Sequence, residues 1–316
     1  MGDDGYERDD LMRIFVAGAT GVLGRRVVPA LVERGHQVTA VARGAQKATA
    51  LRAQGASPVT VDLFDPVSVT TAVDGSETVI NLATSIPPTS RMLRSSAWRA
   101  NDRLRTDASR HLVGAALHTG AGRYIQEALG FVYPDGGSAW IGEDVALDVP
   151  SYARSVLDAE AQAHRFNAGG GTGVILRFGL FYSADSVQTR DMLALIRRGL
   201  LPLPGADDAY QSWIHVDDAA GAVVAALDAE PGPHNVVEDD PLTTVEHVRV
   251  LGEIVGRRVR RPPTLIAGGP LALQIRSQRV SNERLRQTTA WRPRFASRRE
   301  GWPQVVAAAA AVVAGA

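Results

Sequence analysis

Short apolar runs alternate with stretches of helical spacing along the first part of the chain. The apolar runs are continuous rather than alternating in polarity, which is typical of parallel strands that are buried on both faces. Strands are predicted at residues 13–17, 37–42, 58–62, 78–83, 124–127 and 173–178, with helices at 24–34 and 45–54. Strands and helices in this alternation predict an α/β fold with a doubly wound parallel sheet.

The pattern becomes irregular after residue 181. Prolines and a glycine predict a loop at 202–205, a strand is expected at 213–216, and helices at 219–227 and 244–255. Ligands of doubly wound sheets sit beyond the carboxyl ends of the strands, so these segments are expected to form a small C-terminal substrate-binding subdomain.

The predicted domain boundaries follow from these changes of pattern. Residues 11–182 plus 212–237 are expected to form the sheet domain, and residues 183–211 plus 238–306 the substrate-binding subdomain. The acidic stretch 1–10 is predicted to be a disordered tail, and 307–316 a terminal helix or tail.

Composition excludes several classes of partner. Lys+Arg and Asp+Glu both number 34, so no net basic field favours nucleic acid or an anionic membrane. The apolar run at 305–316 is too short to span a bilayer. Cysteine is absent, which excludes disulfides and suits a cytoplasmic location, and the seven histidines lack a metal-ligand spacing. The expected partner is a small molecule, and the oligomeric state is left open.

A glycine-rich loop follows the first predicted strand. Gly18, Gly21 and Gly24 recur at every third position, and Gly24 opens an amphipathic helix. In this context glycines permit a tight turn and close approach of the backbone to a pyrophosphate at the helix N-terminus. The loop therefore predicts a dinucleotide site of the Rossmann type, in which Thr20, Val22 and Leu23 also contact the cofactor.

The end of the second strand indicates which dinucleotide is bound. The position at which an acidic residue would hold the ribose of NAD is occupied by Arg43, and Lys47 lies one helical turn further on. Cations favour the 2′-phosphate of NADP, so NADPH is the predicted cofactor. Arg25, directly after the loop, is a candidate for an additional cation.

Several further motifs occur in a fixed order. They are Asp62-Leu63, Asn81-Leu-Ala83, Asn101, Tyr152, Arg177-Phe-Gly179, Ile214-His-Val-Asp-Asp218, His234-Asn-Val236 and Arg279-Val-Ser-Asn282. From residue 12 to residue 302 the chain thereby resembles a short-chain dehydrogenase/reductase of the NAD-dependent epimerase/dehydratase type. The resemblance implies that Asp62 and Leu63 lie near the adenine, and that Leu82, Ala83, Thr84 and Phe178 contact the cofactor.

The chain departs from this family at its catalytic triad. Ala128 and Leu129 stand where the family has a hydroxyl residue, and Val156 stands where it has lysine. Tyr152 is retained and is the candidate catalytic residue. A tyrosine with an unperturbed pKa near 10 is about one part in a thousand phenolate at pH 7, a loss of about 4 kcal/mol for any step that needs a base. The only lysine of the chain is Lys47, already assigned to the cofactor.

The missing base favours reduction, because a neutral phenol still donates a hydrogen bond to a developing alkoxide. The predicted function is an NADPH-dependent ketoreductase acting on a polarised ketone of an aromatic polyketide, in antibiotic biosynthesis. Such a substrate supplies part of the acid catalysis itself. The pattern is similar to actinomycete secondary-metabolite reductases, among them the angucyclinone ketoreductases.

Four residues are candidates for contact with the substrate. Ser85, Ser95 and Ser96 follow the fourth strand, where a cleft wall and a solvated loop are equally good interpretations. Glu127, at a strand end, is either an acid or base or a scaffold residue. Two other functions stay open: an NADP-binding protein without redox turnover, such as a regulator or a cyclase or isomerase, and a nucleotide-sugar epimerase or dehydratase.

Overall fold

The protein is described by a computed structural model that covers residues 11–201, 203–261 and 273–314, with side chains to residue 310. The strands are β1 Arg13–Ala17, β2 Gln37–Val41, β3 Ser57–Val59, β4 Thr78–Asn81, β5 Arg123–Leu129, β6 Trp140–Ile141, β7 Thr172–Phe178, β8 Leu180–Tyr182, β9 Tyr210–Gln211, β10 Trp213–His215, β11 Gly232–Val236, β12 Leu242–Thr243 and β13 Arg279–Val280. The predicted tail at 1–10 and the predicted loop residue Pro202 lie outside the described residues.

Helices connect most of these strands. They are α1 Gly24–Glu33, α2 Ala45–Ala53, α3 Pro66–Val73, α4 Arg99–Arg103, α5 Ser109–Thr119, α6 Ser155–Ala168, α7 Val187–Ile196, α8 Val216–Ala225, α9 Thr244–Ile254, α10 Glu283–Thr288 and α11 Arg298–Ala314. A π-helical turn, Leu104–Ala108, joins α4 to α5. Across the described ranges, none of these helices has both the length and the apolar character needed to cross a membrane.

Seven strands form one sheet in the order β11-β7-β5-β4-β1-β2-β3, and every pair in it is parallel. Successive side chains of β1 point to opposite faces: Ile14 and Val16 pack towards α1 and α8, and Phe15 packs towards α3 and α5. Both faces are buried, which explains why the strands are continuously apolar. The predicted doubly wound parallel sheet is confirmed.

The C-terminal segments add three small strand pairs, β8–β10, β9–β12 and β6–β13. An apolar cluster beneath them contains Tyr182, Trp213, Leu251 and Trp302 and joins α9 to α11. The ring of Tyr182 stacks on that of Trp302 with centroids 5.0 Å apart. These contacts fix the segments against β8, which follows the carboxyl end of β7 directly, on the side where a ligand of such a sheet binds.

Some predicted boundaries differ from those observed. Helix α8 begins at Val216 rather than 219, because the side chain of His215 accepts a hydrogen bond from the amide of Asp217 and caps the helix. Asp218 accepts the amides of Arg294 and Phe295, so it holds the C-terminal segment against the sheet domain.

Candidate functional site

The glycine loop has the backbone geometry that its sequence predicts. Gly18 has φ +81°, and a Cβ added there would lie 2.4 Å from the carbonyl carbon of Leu82. A Cβ on Gly24 would lie 2.3 Å from the carbonyl oxygen of Gly18. Both positions require glycine, one for its conformation and both for the close approach of neighbouring backbone.

Helix α1 starts at this loop without a side-chain cap. The amides of Arg25 and Arg26 already donate to the carbonyls of Gly21 and Leu23, so an anion here would meet the amides of the preceding loop, and the helix dipole favours negative charge at the same point. Gly21 is exposed, Thr20 and Val22 are half-buried, and Leu23 is buried in the core. The loop lies between β1 and β4, where the chain order of the sheet reverses. A dinucleotide pyrophosphate fits this cradle.

The two cations predicted to select NADP are open to a ligand. Arg43 and Lys47 are exposed, and within the described ranges neither side chain has a hydrogen-bond or ion-pair partner. Arg25 differs, because its guanidinium lies 3.1 Å from the carboxylate of Asp185. The suggestion that Arg25 adds a further cation to the cofactor site is therefore not supported by this geometry. Arg26 also binds Asp185, at 3.0 Å.

The other cofactor candidates lie around the same end of the sheet. Asp62 accepts the amide of Phe64 at 2.9 Å, which shapes the turn after β3. The carbonyl of Leu63 contacts the imidazole of His111 at 3.1 Å. Leu82 is buried beneath Gly18, and Ala83 and Thr84 are progressively more exposed. Phe178 has its ring in the core, 5.3 Å from that of Phe181, so only its backbone could face a cofactor.

Tyr152 lies in an apolar cluster formed by the residues that replace the family triad. Leu129 and Val156 pack with it, together with Val132 and Leu273. The Tyr152 hydroxyl accepts a hydrogen bond from the amide of Leu273 at 3.3 Å. Burial raises the pKa of Tyr152 above its ordinary value, and the hydrogen bond from Leu273 opposes this only in part. The environment therefore keeps the phenol neutral.

Glu127 forms a buried ion pair with Arg105. The Arg105 Nη2 lies 3.1 Å from Oε1 of Glu127 and 3.4 Å from Oε2, and both side chains are more than nine-tenths buried. Arg105 belongs to the π-helical turn between α4 and α5. This pairing supports the scaffold interpretation of Glu127 over that of a free acid or base. No local sequence pattern indicates this pair, because the partners are 22 residues apart.

The three candidate serines lie on the segment after β4. Ser85, Ser95 and Ser96 are exposed, and the amide of Ser85 donates to the side chain of Asn101 at 3.0 Å. The same segment is fixed to α7 by a hydrogen bond from Thr89 to Asp191 at 2.7 Å. The serines are therefore available to a ligand, and their role in substrate binding stays a prediction.

A narrow cleft that the sequence did not reveal lies between the Tyr152 cluster and the C-terminal strand pairs, with room for about one water molecule. It is lined by Phe131, Leu180, Tyr210, Leu273 and Arg276 among others. Phe131 and Leu273 also pack in the cluster around Tyr152. The guanidinium of Arg276 is held by the carboxylate of Asp148 at 2.8 Å and by the carbonyl of Tyr133. The lining is drawn from four separate parts of the chain, so no local pattern marks it.

Known proteins are similar to this chain in sequence and in fold. The chain is 34% identical to a 3-diazoavenalumate denitrifying reductase of a Streptomyces species, over 92% of this chain and 99% of the relative. In fold it is similar to the dTDP-glucose 4,6-dehydratase of Streptomyces venezuelae, with a TM-score of 0.76 and 19% identity over 94% and 96% of the two chains. It is also similar to the UDP-glucose 4-epimerase of Thermus thermophilus, with a TM-score of 0.74 and 22% identity over 95% and 99%.

Both solved structures contain bound NAD. At sequence identities of 19% and 22%, they establish that the fold is similar and no more. The family model described as "NAD dependent epimerase/dehydratase family" matches residues 14–237. This range includes the glycine loop, nearly all of the sheet and Tyr152. The resemblance inferred from the sequence motifs is thereby confirmed at the level of the family. The chain belongs to the NAD-dependent epimerase/dehydratase family.

Proposed function

We propose that the protein is an NADPH-dependent reductase of an aromatic substrate that supplies its own activation. The observation that carries this proposal is the apolar cluster of Leu129 and Val156 around Tyr152. Among the described residues of this cluster none is a base, and the one proton donor is the neutral phenol of Tyr152.

The cofactor part of the proposal rests on residues of this chain. The glycine loop and the uncapped end of α1 would hold the pyrophosphate. Arg43 and Lys47 would bind the 2′-phosphate, since both cations lack partners in the described part of the chain. NADPH bound here supplies a hydride, which reduces a ketone to an alcohol with one proton, or replaces the nitrogen of an arenediazonium to give an arene and N₂ with none.

The first substrate candidate is a ketone hydrogen-bonded to phenol groups of the same aromatic polyketide, as in antibiotic biosynthesis. The phenols of such a substrate stabilise the developing alkoxide, and Tyr152 can add a hydrogen bond. Phe131 and Leu273, which line the narrow cleft and pack in the Tyr152 cluster, would offer apolar surface to an aromatic ring.

The second candidate is an aromatic diazo compound, and the Streptomyces reductase favours it, because the similarity covers almost the whole of both chains. Loss of N₂ needs neither an acid nor a base from the protein. Leu129 and Val156, at the positions where the family has a hydroxyl residue and a lysine, are both apolar. A reaction that needs no acid or base from the protein is compatible with such a site.

An opening oxidation of a sugar alcohol, as in an epimerase or dehydratase, is disfavoured. That step needs a phenolate, and burial raises the pKa of Tyr152 further from neutrality. Among the described residues no lysine lies beside Tyr152, since Val156 occupies that position within the apolar cluster.

The test is a panel of substrates incubated with purified protein and NADPH. The panel contains phenol-flanked aromatic ketones, simple ketones, diazophenols and nucleotide sugars, with NADPH absorbance and N₂ release as readouts. Oxidation of NADPH with either aromatic class, and with neither of the other two, is the expected result. Tight NADPH binding without oxidation by any compound would overturn the proposal in favour of a non-redox protein.

A further inference from the structure

Arg279 is a half-buried cation without a counter-ion. In residues 11–201, 203–261 and 273–314, no carboxylate lies within ion-pair distance of its guanidinium and no acceptor binds it. Its Nε is buried without a partner, whereas the terminal nitrogens keep contact with solvent. Arginines in buried settings are normally paired, so an unpaired one requires an explanation.

Two aromatic rings hold this guanidinium in place. Its central carbon lies 4.1 Å from the ring centroid of Trp140 and 4.9 Å from that of Tyr210. Trp140 is the direct cross-strand neighbour of Arg279 in the β6–β13 pair. The amide of Gln278, the residue before Arg279, donates to the carbonyl of Tyr210 at 2.9 Å. This hydrogen bond fixes Tyr210, the second ring beside the guanidinium. The cation is therefore positioned by backbone pairing on both sides.

The neighbouring charges are already used within the protein. Arg276 is paired with Asp148. Asp135, on the loop before β6, accepts the amides of Gly137 and Ser277. Arg279 thus contributes uncompensated positive charge next to a neutralised arginine, and its planar fork suits a carboxylate.

The position of Arg279 relative to the cleft gives this charge a role. Tyr210 lines the cleft with Phe131 and Leu273, and these two residues pack in the cluster around Tyr152. Packing therefore connects the Tyr152 cluster, through the residues that line the cleft, to the Tyr210 ring beside Arg279. Trp140 is 50% exposed and offers a flat apolar surface beside the guanidinium.

We propose that Arg279, with Trp140 and Tyr210, is an anion subsite that binds the carboxylate of an aromatic acid, whose ring would pack on the exposed face of Trp140. The inference rests on the proposed reductase function only in taking this acid to be the substrate. It names the substrate class as acidic: an aromatic carboxylate.

The test measures ligand binding rather than turnover. Protein saturated with NADPH is titrated calorimetrically with 4-hydroxycinnamate and with its methyl ester, which lacks the charge. We expect the acid to bind at least about tenfold more tightly than the ester, the ratio expected for one charge-assisted fork. Arg279→Gln is expected to bring this ratio close to one, and Arg279→Lys to leave it in between, because lysine keeps the charge and loses the planar fork.

Arg34→Gln is the matched control, since Arg34 is exposed at the far end of α1. It should keep the wild-type ratio, and melting temperatures of all variants monitor folding. Equal binding of acid and ester by the wild type, or an unchanged ratio in a folded Arg279→Gln, would overturn the subsite. A protein that oxidises NADPH with neutral and acidic aromatics equally refutes only the subsite, whereas acid-selective binding without any NADPH oxidation refutes only the reductase function.

Discussion

The amide of Leu273 donates a hydrogen bond to the hydroxyl of Tyr152 at 3.3 Å. This bond joins the one retained residue of the catalytic triad to the C-terminal part of the chain. In the extended family pattern a lysine would act on the same tyrosine, and here Val156 is at that position. Tyr152 is consequently a hydrogen-bonding residue in an apolar wall, with a proton to donate and no base to assist it.

Tyr152→Phe separates the two substrate classes. For a ketone the loss of the phenol removes a proton donor, so we expect kcat to fall by about 10²-fold. For an aromatic diazo compound no proton is needed, and kcat should stay within about threefold. Steady-state kinetics on both classes, with the same enzyme preparations, measure the difference.

The stability of this variant provides the control. Loss of one hydrogen bond should cost about 1 kcal/mol of unfolding free energy, which urea denaturation detects. If kcat for a ketone is unchanged in the folded variant, then Tyr152 is not the proton donor, and the substrate or water takes that role.

Restoring the family lysine is expected to fail. Val156 is fully buried among Val132, Leu273 and Tyr152, so Val156→Lys places an ammonium in an apolar cluster. We expect a loss of about 3 kcal/mol or more in unfolding free energy and no gain of alcohol oxidation. Leu157→Lys, at a neighbouring position that is 37% exposed, is the matched control and should be nearly neutral. A stable Val156→Lys enzyme that oxidises alcohols would show that the lysine alone was missing.

The sequence predicted those parts of the molecule whose signals are local. The boundaries of β1 match the structure, and α1 differs by one residue, because an apolar run, a glycine loop and an amphipathic helix follow one another directly. The absence of the triad partners, inferred from motif spacing, stays a prediction. Strand β11 was not predicted, because Gly232 and Pro233 disfavour a strand and only pairing with β7 at the sheet edge makes it one.

Contacts between distant residues could not be predicted in the same way. The pairing of Glu127 with Arg105 depends on a π-helical turn, which no residue pattern in the sequence predicts. The cleft wall depends on Leu273 meeting Tyr152, 121 residues away. The anion subsite depends on the register of β6 against β13. Tertiary packing creates each of these features, so they appear only once the chain is folded.

Cofactor selectivity should depend on Arg43 and Lys47. Each charge-assisted contact with a 2′-phosphate contributes about 1.5–3 kcal/mol, so Arg43→Ala should weaken NADPH binding by about 10- to 100-fold. NADH lacks the phosphate, and its affinity should be nearly unchanged. Titration of nucleotide fluorescence with both cofactors measures this. Arg52→Ala, an exposed position in the last turn of helix α2, should leave both affinities intact. Equal losses for NADPH and NADH would assign Arg43 a general structural role.

The glycine cradle gives a prediction about close packing. Gly24→Ala would bring a methyl group within 2.3 Å of the Gly18 carbonyl oxygen, a backbone atom that cannot move aside without opening the loop. We expect dinucleotide binding to be lost. Gly114→Ala on α5 meets nothing within 4 Å and should retain binding, with a stability gain of up to about 1 kcal/mol. Equilibrium dialysis against NADPH compares the two. Retained affinity in Gly24→Ala would exclude the close approach seen here.

The buried carboxyl of Glu238 predicts how stability varies with pH. It accepts the Tyr182 hydroxyl at 2.6 Å and lies 3.5 Å from the Arg298 guanidinium, with all three side chains buried. Burial raises the pKa of Glu238 from 4.5 to about 7, against the attraction of Arg298. The folded state therefore binds this proton more tightly than the unfolded state, and the resulting stability is lost as pH rises from about 4.5 to about 7.

The size of this loss is about 3 kcal/mol for a shift of this extent. Urea unfolding at pH 5 and pH 7.5 should show it in the wild type, after subtraction of Glu238→Gln, whose amide does not titrate. Glu253→Gln, on the exposed face of α9, should keep the wild-type dependence. If the stability of Glu238→Gln varies between pH 5 and pH 7.5 as much as that of the wild type, the titrating group is elsewhere, and Glu238 is ionised throughout as a permanent partner of Arg298.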